Sequence, residues 1–272
     1  MIGSMGWGLV IAATAGIASM KAAVERGDLD EASRQGALAG VALVEEALAS
    51  PDRATQLGAI TAAPVVEGRP ELLDALARIA GGPDRRTAIP AARAARTIAR
   101  ELAGKELADD LAPEGLYGWR MTFAALAADR TRWIDLRVLA LDTASALAND
   151  GTGLPLDTSL ADPDPALRRA AILDVAVPVP VGLRARLTKT IVGDTDPLVA
   201  LAAGQVRCAD LFADPPAPVL AALGEPGLAR LRTAVATEDA PNIALREVAR
   251  CLRADTSPAS TAALRGIKNR VR

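Results

Sequence analysis

The heptapeptide Asp-Pro-Asp-Pro-Ala-Leu-Arg at 162–168 is followed by a similar stretch, Asp-Thr-Asp-Pro-Leu-Val-Ala, at 194–200. The second prolines of the two stretches, Pro165 and Pro197, lie 32 residues apart (197 − 165). An aspartate, a proline and then an apolar, alanine-rich run predict a helix with the aspartate as N-cap, because proline in the first turn needs no backbone donor. The same helical element therefore occurs twice at a fixed spacing.

The same interval occurs earlier in the chain, where Pro51 and Pro83 are also 32 residues apart (83 − 51). Further turn signals that contain Asp or Pro lie at 129–132 and 238–241, and an apolar run follows each of them. Units of helix, turn and helix that repeat every 30 to 45 residues, roughly, are typical of α-solenoids, because one unit cannot bury both of its apolar helix faces alone. The sequence thus predicts stacked helix pairs.

Composition also favours an all-α fold. Apolar residues make up 50% of the 272 residues, but aromatic residues only 2%. The core must therefore be built from Ala, Leu, Val and Ile packed at close range. Leu, Ala, Arg and Glu are good helix formers, whereas the residues that favour strands are sparse outside a few short runs. The length by itself allows one large domain or two ordinary ones.

The repeated units resemble HEAT repeats, in which Asp or Pro in a turn precedes an apolar residue, and often an arginine, in a second helix. The segments that carry this resemblance are 83–94, 129–140, 162–171, 194–203 and 239–249. This resemblance implies a right-handed α-solenoid of about six helix pairs, forming a single domain over residues 24–272, with the second helices on the concave face. The pattern lacks its arginine at Ala200 and has only a short helix at 154–161, so we expect a less regular superhelix there.

Charge and residue usage argue against several function classes. Lys and Arg number 31 and Asp and Glu 33, so the net charge of −2 provides no general positive field, and nucleic acid is not the expected partner. The chain has no histidine, the commonest metal ligand and general acid–base group. We find no phosphate-binding loop, nucleophile elbow or metal signature. The sequence therefore predicts no catalytic residue, metal or cofactor.

The candidate binding residues are arginines on the predicted second helices. They are Arg93, Arg96, Arg100, Arg137, Arg168, Arg169, Arg207, Arg246 and Arg250. If they align across repeats, they form a cationic stripe on the concave surface that suits an acidic peptide or phosphate groups. The alternative is that each arginine covers neighbouring alanines and pairs with a local acid, which the slightly acidic composition favours.

Four of the six aromatic residues lie within 17 positions of the chain (133 − 117 + 1): Tyr117, Trp119, Phe123 and Trp133. One interpretation is an apolar ligand pocket formed by these rings. The other is that bulky rings fill a wider gap in the core, since buried aromatic side chains usually serve packing.

The two cysteines occupy similar positions in their helices. Cys208 lies 11 residues after Pro197 (208 − 197), and Cys251 lies 10 residues after Pro241 (251 − 241). In stacked repeats they would lie at nearly the same level of adjacent second helices, where a disulfide forms if the Cα atoms are within about 7 Å. Two small buried thiols are the alternative. A disulfide would agree with an exported protein.

Residues 1–23 allow three interpretations. Trp7 to Ala18 has the length of the apolar region of a signal peptide and is followed by small residues, although a basic segment before it is missing. One helical face would carry Leu9, Ala13, Gly16, Met20 and Val24. That face predicts a helix that caps the fold. A membrane span is disfavoured because it needs about 20 strongly apolar residues. An exported or periplasmic location and a cytoplasmic one both stay open.

These observations predict a non-catalytic scaffold that binds a protein or peptide partner in its concave groove. Two other classes remain. One is an enzyme of nucleic-acid repair on a HEAT-like scaffold, similar to helical-repeat DNA glycosylases and acting through aromatic and acidic side chains. The other is a structural or assembly protein of the cell envelope. The sequence leaves the identity of the partner and the oligomeric state open.

Overall fold

The computed structural model describes residues 5–104, 113–148, 156–175, 177–210 and 216–271. In these residues all regular structure is helical, which confirms the all-α prediction. The chain divides into two compact units, residues 1–154 and 155–272. The segment 149–153, whose two glycines make it a candidate linker by sequence, lies just before this boundary and outside the described residues.

The helices of unit 1 are α1 (Met5–Glu25), α2 (Leu29–Ala39), α3 (Val41–Leu48), α4 (Arg53–Ala62), α5 (Leu73–Ala80), α6 (Arg85–Gly104), α7 (Pro113–Ala128) and α8 (Ile134–Ala146). Two 3-10 turns, Ala63–Val65 and Arg69–Leu72, connect α4 to α5. From α3 onward the helices pack as the consecutive pairs α3/α4, α5/α6 and α7/α8. The first helices α3, α5 and α7 contact one another in turn, and so do the second helices α4, α6 and α8.

Helix α1 packs against α2 and α4. Its residues Met20 and Ala23 are fully buried. A Cβ placed on Gly36 would lie 3.3 Å from Sδ of Met20, and one on Gly58 would lie 3.2 Å from Cβ of Met20. The end of α1 thus belongs to the core of unit 1. None of the described helices is both long and apolar enough to cross a membrane.

The apolar pattern from Leu29 to Ser50 predicts one long helix, but the chain forms two. Helices α2 and α3 are separated at Gly40, where φ is 84° and ψ is 170°. Glycine adopts such a positive φ at no steric cost, whereas residues with a Cβ are strained there. The helix prediction was therefore wrong at this point, and Gly40 is the residue that ends α2.

The helices of unit 2 are α9 (Leu156–Leu160), α10 (Pro165–Leu173), α11 (Val181–Gly193), α12 (Pro197–Ala209), α13 (Pro216–Ala234), α14 (Asn242–Ala254) and α15 (Pro258–Arg270). Helix α13 is kinked at Gly224, where φ is 57°. Second helices again lie side by side, with α10 against α12 and α12 against α14, while α11 contacts α13. The right-handed superhelix and the single domain over 24–272 stay predictions.

The repeated turn has the same hydrogen bonds in both copies. Asp162 accepts a hydrogen bond from the amide of Asp164 at 3.0 Å, and Asp194 accepts one from the amide of Asp196 at 2.9 Å. Asp164 then caps α10, and Asp196 caps α12, each through a backbone amide of the first turn at 2.8 Å. These bonds satisfy amides that have no partner inside the helix. The predicted caps are confirmed.

Arg168 joins the first copy of this turn to the second. Its Nε and Nη2 each lie 2.9 Å from a carboxylate oxygen of Asp194, and its Nη1 donates to the carbonyls of Asp162 (2.9 Å) and Pro163 (3.0 Å). Burial opposes the ionised form of Asp194, but the hydrogen bonds from Arg168 and from the amide of Asp196 outweigh it, so the pKa of Asp194 is lowered. Two-pronged, charge-assisted bonds of this kind fix geometry as well as contributing energy.

Cys208 on α12 and Cys251 on α14 form a disulfide, with their Cα atoms 5.6 Å apart. Both residues are fully buried. The predicted disulfide is confirmed.

Gly204 lies one turn before Cys208 on α12. A Cβ placed on Gly204 would lie 2.4 Å from Cδ2 of Leu231 and 3.2 Å from Cγ2 of Val248. The missing side chain at Gly204 therefore lets α12 pack closely against α13 and α14.

Candidate functional site

The structure distributes the predicted arginines over different environments, and two of them are buried. Arg137 on α8 is 4% exposed and donates from Nε to the carbonyl of Ala127 at 2.9 Å. Arg207 on α12 is 3% exposed and donates to Asp210 at 2.9 Å. Both guanidinium groups therefore connect parts of the fold and are not presented to solvent.

Asp210, which the sequence analysis did not single out, is the centre of a buried polar group in unit 2. It is fully buried and accepts a hydrogen bond from the amide of Val179 at 2.8 Å. Arg207 and Arg184 lie 2.9 Å and 3.3 Å from its Oδ2. The two cations compensate the buried carboxylate, and the bond to Val179 fixes the segment before α11 to the end of α12.

Other predicted arginines form ion pairs with local acids, as the second interpretation of the sequence proposed. Arg96 and Arg100 both pair with Asp142 of α8. Arg250 pairs with Glu247 one turn earlier on α14, at 2.7 Å. Arg168 pairs with Asp194, as described above.

Three arginines of the set, Arg93, Arg169 and Arg246, form no ion pair with any residue that the structure describes. Arg93 and Arg246 are exposed, whereas Arg169 is half-buried. Arg86, the second residue of α6, is also exposed and without an ion pair among the described residues, although no sequence pattern singled it out. Arg86 and Arg93 lie seven residues apart, so they share one face of α6. Arg246 belongs to the other unit.

Helices α6 and α8 lie side by side. They carry six arginines and three acidic residues, but Arg137 is buried, so the other groups have a net charge of 5 − 3 = +2. Arg85 binds Asp135 at 2.8 Å near the start of both helices. Burial of Asp135 opposes its ionisation, but the Arg85 hydrogen bond and the amide of Leu136 lower its pKa. We call the outward surface with Arg86, Arg93, Arg96, Arg100, Asp135 and Asp142 the α6–α8 face.

The four clustered aromatic residues occupy different environments. Phe123 is fully buried and fills the core, whereas Tyr117 is 62% exposed on the same helix. Trp119 is half-buried, and its indole N–H donates to Oδ1 of Asp74 on α5 at 2.9 Å. Trp133 is half-buried at the N-cap position of α8. Packing thus accounts for Phe123, and Trp119 ties α7 to α5.

An open groove of about 730 Å³ lies between α5 and α7. Ala77 of α5 and Gly81 directly after it line one side, and Met121, Ala125 and Leu126 of α7 line the other. The groove is formed by first helices and is separate from the α6–α8 face.

A second groove of about 400 Å³ lies on the other side of α5, next to the turn that follows α3. Leu48, Pro51 and Ile79 contribute apolar surface to it. Arg78 of α5 lines both grooves. We refer to the two grooves together with Arg78 as the α5 surface. No sequence signal pointed to it, because it depends on which helices lie next to α5.

Within the described residues, no three Cys, Asp or Glu side chains are grouped so that they could hold a metal ion. Comparison with known proteins finds no protein-family model and no curated protein that matches this sequence.

Proposed function

We propose that this protein is a non-catalytic scaffold, a HEAT-like α-solenoid that binds a protein or peptide partner on the face formed by its second helices. The packing inside each unit supports this proposal. Second helices contact second helices, and ion pairs such as Arg85–Asp135 and Arg168–Asp194 connect successive helix pairs. In repeat proteins, such stacking buries the apolar faces and leaves an extended surface for a partner.

The α6–α8 face favours an acidic partner. Arg86 and Arg93 are exposed and unpaired among the described residues, and without the buried Arg137 the two helices have a net charge of 5 − 3 = +2. An acidic segment can therefore pair with them without breaking the internal ties at Asp135 and Asp142. Exposed charge pairs of this kind mainly raise the association rate and make it sensitive to salt.

The test is affinity capture from soluble and envelope fractions of the native host, with the wild type and the double variant Arg86→Glu/Arg93→Glu as baits. Lys189→Glu, an exposed charge reversal on α11, is the matched control. We expect both the wild type and the control to capture the same partner, and salt to release it. The double variant should fail to capture that partner. Equal capture by all three baits would contradict this binding face. Captured nucleic acid would favour the repair enzyme instead.

We also propose that the protein is exported to an oxidising compartment. The disulfide between Cys208 and Cys251 supports export, because such bonds persist outside the reducing cytosol. Acid quenching of cells, alkylation of thiols under denaturing conditions without reductant, and mass analysis test this proposal, because both cysteines are buried in the folded protein. We expect neither cysteine to be alkylated. Two alkylated cysteines would refute it. The same spectra show the mature N-terminus, and an intact Met1 would rule out cleavage of a signal peptide.

A further inference from the structure

We propose that the α6–α8 face binds a second copy of this chain, through an acidic surface at the edge of unit 1 where α2 and α4 end and α3 begins. The proposal rests on the proposed function, because it takes the same binding face and names its occupant. We call the acidic surface the edge surface. Its residues are Leu38, Glu45, Glu46, Val65, Glu67 and Glu71.

The first support is the exposed stripe of α6. From residue 86 to residue 100, only this stripe and Arg96 are uncovered, and every other position is buried. The stripe consists of Arg86, Pro90, Arg93, Thr97 and Arg100. A spacing of three or four residues places these side chains on one side of the helix. Arg86 and Arg93 are therefore about 10 Å apart along the helix axis, with an apolar side chain between them.

The acids next to this stripe already have cations of their own. Four ion pairs hold them: Arg53–Asp84, Arg69–Glu101, Arg85–Asp135 and Arg96–Asp142. Arg100 also binds Asp142. The positive charges without an acid among the described residues are thus those of Arg86 and Arg93. Their complement is a pair of carboxylates on the bound molecule.

The edge surface provides such carboxylates. Its four glutamates are exposed, and none of them forms an ion pair with a residue that the structure describes. The segments 41–48 and 63–72 contain one cation, Arg69, which binds Glu101. The next charged residues along the chain, Asp74 and Arg78, cancel each other in net charge. The edge surface is therefore negative.

Packing brings the two acidic segments of the edge surface together. A Cβ on Gly68 would lie 3.4 Å from Cγ1 of Val41, so the turn that contains Glu67 packs against the first turn of α3. Glu45 lies one turn after Val41 on that helix. Carboxylates from both segments can thus contact one bound molecule.

Both surfaces also expose apolar side chains between their charges. On the edge surface, Leu38 is 82% exposed and Val65 is 50% exposed, and the 3-10 turn that contains Val65 packs against α2. On the α6–α8 face, the half-buried Pro90 lies between Arg86 and Arg93. Apolar side chains with charged residues around them are typical of protein interfaces.

The edge surface cannot reach Arg86 within one molecule. Arg69, which lies between Glu67 and Glu71 in the chain, binds Glu101 near the end of α6. Arg86 lies 15 residues before Glu101 (101 − 86), which is about 22 Å along the helix. An ion pair needs about 4 Å or less between the charged atoms. The contact therefore forms between molecules, and the net charge of −2 on the whole chain opposes it little.

Each copy has one surface of each kind, so the contact joins unlike surfaces of successive copies. Contacts of this type produce rings or open chains rather than symmetric dimers. We expect the average mass to rise with protein concentration and to fall as salt is added, because exposed charges are screened.

The test is sedimentation equilibrium of the full chain at low salt. One double variant, Arg86→Glu/Arg93→Glu, reverses the α6–α8 face, and the other, Glu45→Lys/Glu67→Lys, reverses the edge surface. We expect the wild type and the control Lys189→Glu to associate. Each double variant alone should associate at least about tenfold more weakly, since one exposed ion pair contributes up to about fivefold. An equimolar mixture of the two double variants should associate again, because the reversed surface of one fits the reversed face of the other.

Circular dichroism verifies that both double variants are folded. A wild type that stays monomeric up to about 1 mM, double variants that associate like the wild type, or a mixture that stays monomeric overturns the proposal. The capture experiment separates this result from the proposed function. If the chain is monomeric but Arg86→Glu/Arg93→Glu still loses a captured partner, the α6–α8 face binds a different acidic protein, and the proposed function stands without this occupant.

Discussion

Replacing Gly204 by alanine tests the close packing of α12 against α13 and α14. A Cβ at Gly204 would lie 2.4 Å from Cδ2 of Leu231 and 3.2 Å from Cγ2 of Val248. Carbon atoms normally pack at about 3.5–4.0 Å, so Leu231 would have to move by about 1 Å or more. Leu231 is fully buried and cannot swing into solvent. The nearby Cys208–Cys251 disulfide also limits separation of α12 from α14.

Two opposing effects set the size of the change. Overpacking of a core costs about 1–3 kcal/mol, whereas replacing glycine by alanine inside a helix gains about 1 kcal/mol. Gly266 in α15 isolates the second effect, because a Cβ there would meet no atom within 4 Å. We therefore expect Gly204→Ala to be less stable than Gly266→Ala by about 1–3 kcal/mol, since the helix-propensity gain cancels in the comparison.

The assay is urea unfolding of the full chain, followed by far-ultraviolet circular dichroism. The midpoint of Gly204→Ala should fall below that of the wild type, and the midpoint of Gly266→Ala should rise slightly. Leu231→Ala should then cost less in the Gly204→Ala background than in the wild type, because it removes the clash. If both glycine variants unfold at the same urea concentration, the close approach at Gly204 is wrong.

Three further predictions concern Arg168, the disulfide and α1. Arg168→Ala leaves the largely buried carboxylate of Asp194 without its cation and should lower the free energy of unfolding by about 3 kcal/mol. Because the pKa of Asp194 is lowered in the folded protein, this loss of stability should be full above the ordinary pKa of 3.8 and should shrink as the pH falls below it. Urea unfolding at neutral and acidic pH measures the loss. An equal loss at both pH values would contradict the ion pair. Replacing Cys208 and Cys251 together by alanine should lower the free energy of unfolding by about 4 kcal/mol, because the disulfide closes a loop with a sequence separation of 43 and so restricts the unfolded chain. A double variant with the same thermal unfolding midpoint as the wild type would argue against the bond. Met20→Ala should cost about 2–5 kcal/mol because Met20 is fully buried, and an unchanged unfolding midpoint would show that α1 is not part of the folded core.

The candidate site shows where prediction from sequence stops. Arg93, Arg137 and Arg207 occupy comparable places on predicted second helices, but Arg93 is exposed while Arg137 and Arg207 are buried. The difference arises because Ala127 and Asp210 provide acceptors next to the last two. The helical period places each arginine on a face of its helix, but it does not specify what the next helix brings to that face.

The α5 surface was not predictable for the same reason. Trp119 and Asp74 are 45 residues apart in sequence, and Arg78 lines two grooves whose walls come from helices α3 to α7. None of these residues belongs to a local motif. The aromatic cluster pointed to α7, but the large exposed apolar side chain of α7 that lines the groove is Met121.

The sequence by itself determined the helical class, the caps of α10 and α12, and the similar positions of Cys208 and Cys251 in their helices. Helix caps depend on bonds between residues two or three positions apart, and the two cysteines lie at similar distances from Pro197 and Pro241. That the two cysteines form a disulfide was decided by the approach of α12 to α14. Tertiary structure decided which arginines are buried, how closely α12 approaches its neighbours at Gly204, and where unit 1 leaves apolar surface open. These features depend on contacts between distant parts of the chain, which local chemistry and periodicity do not encode.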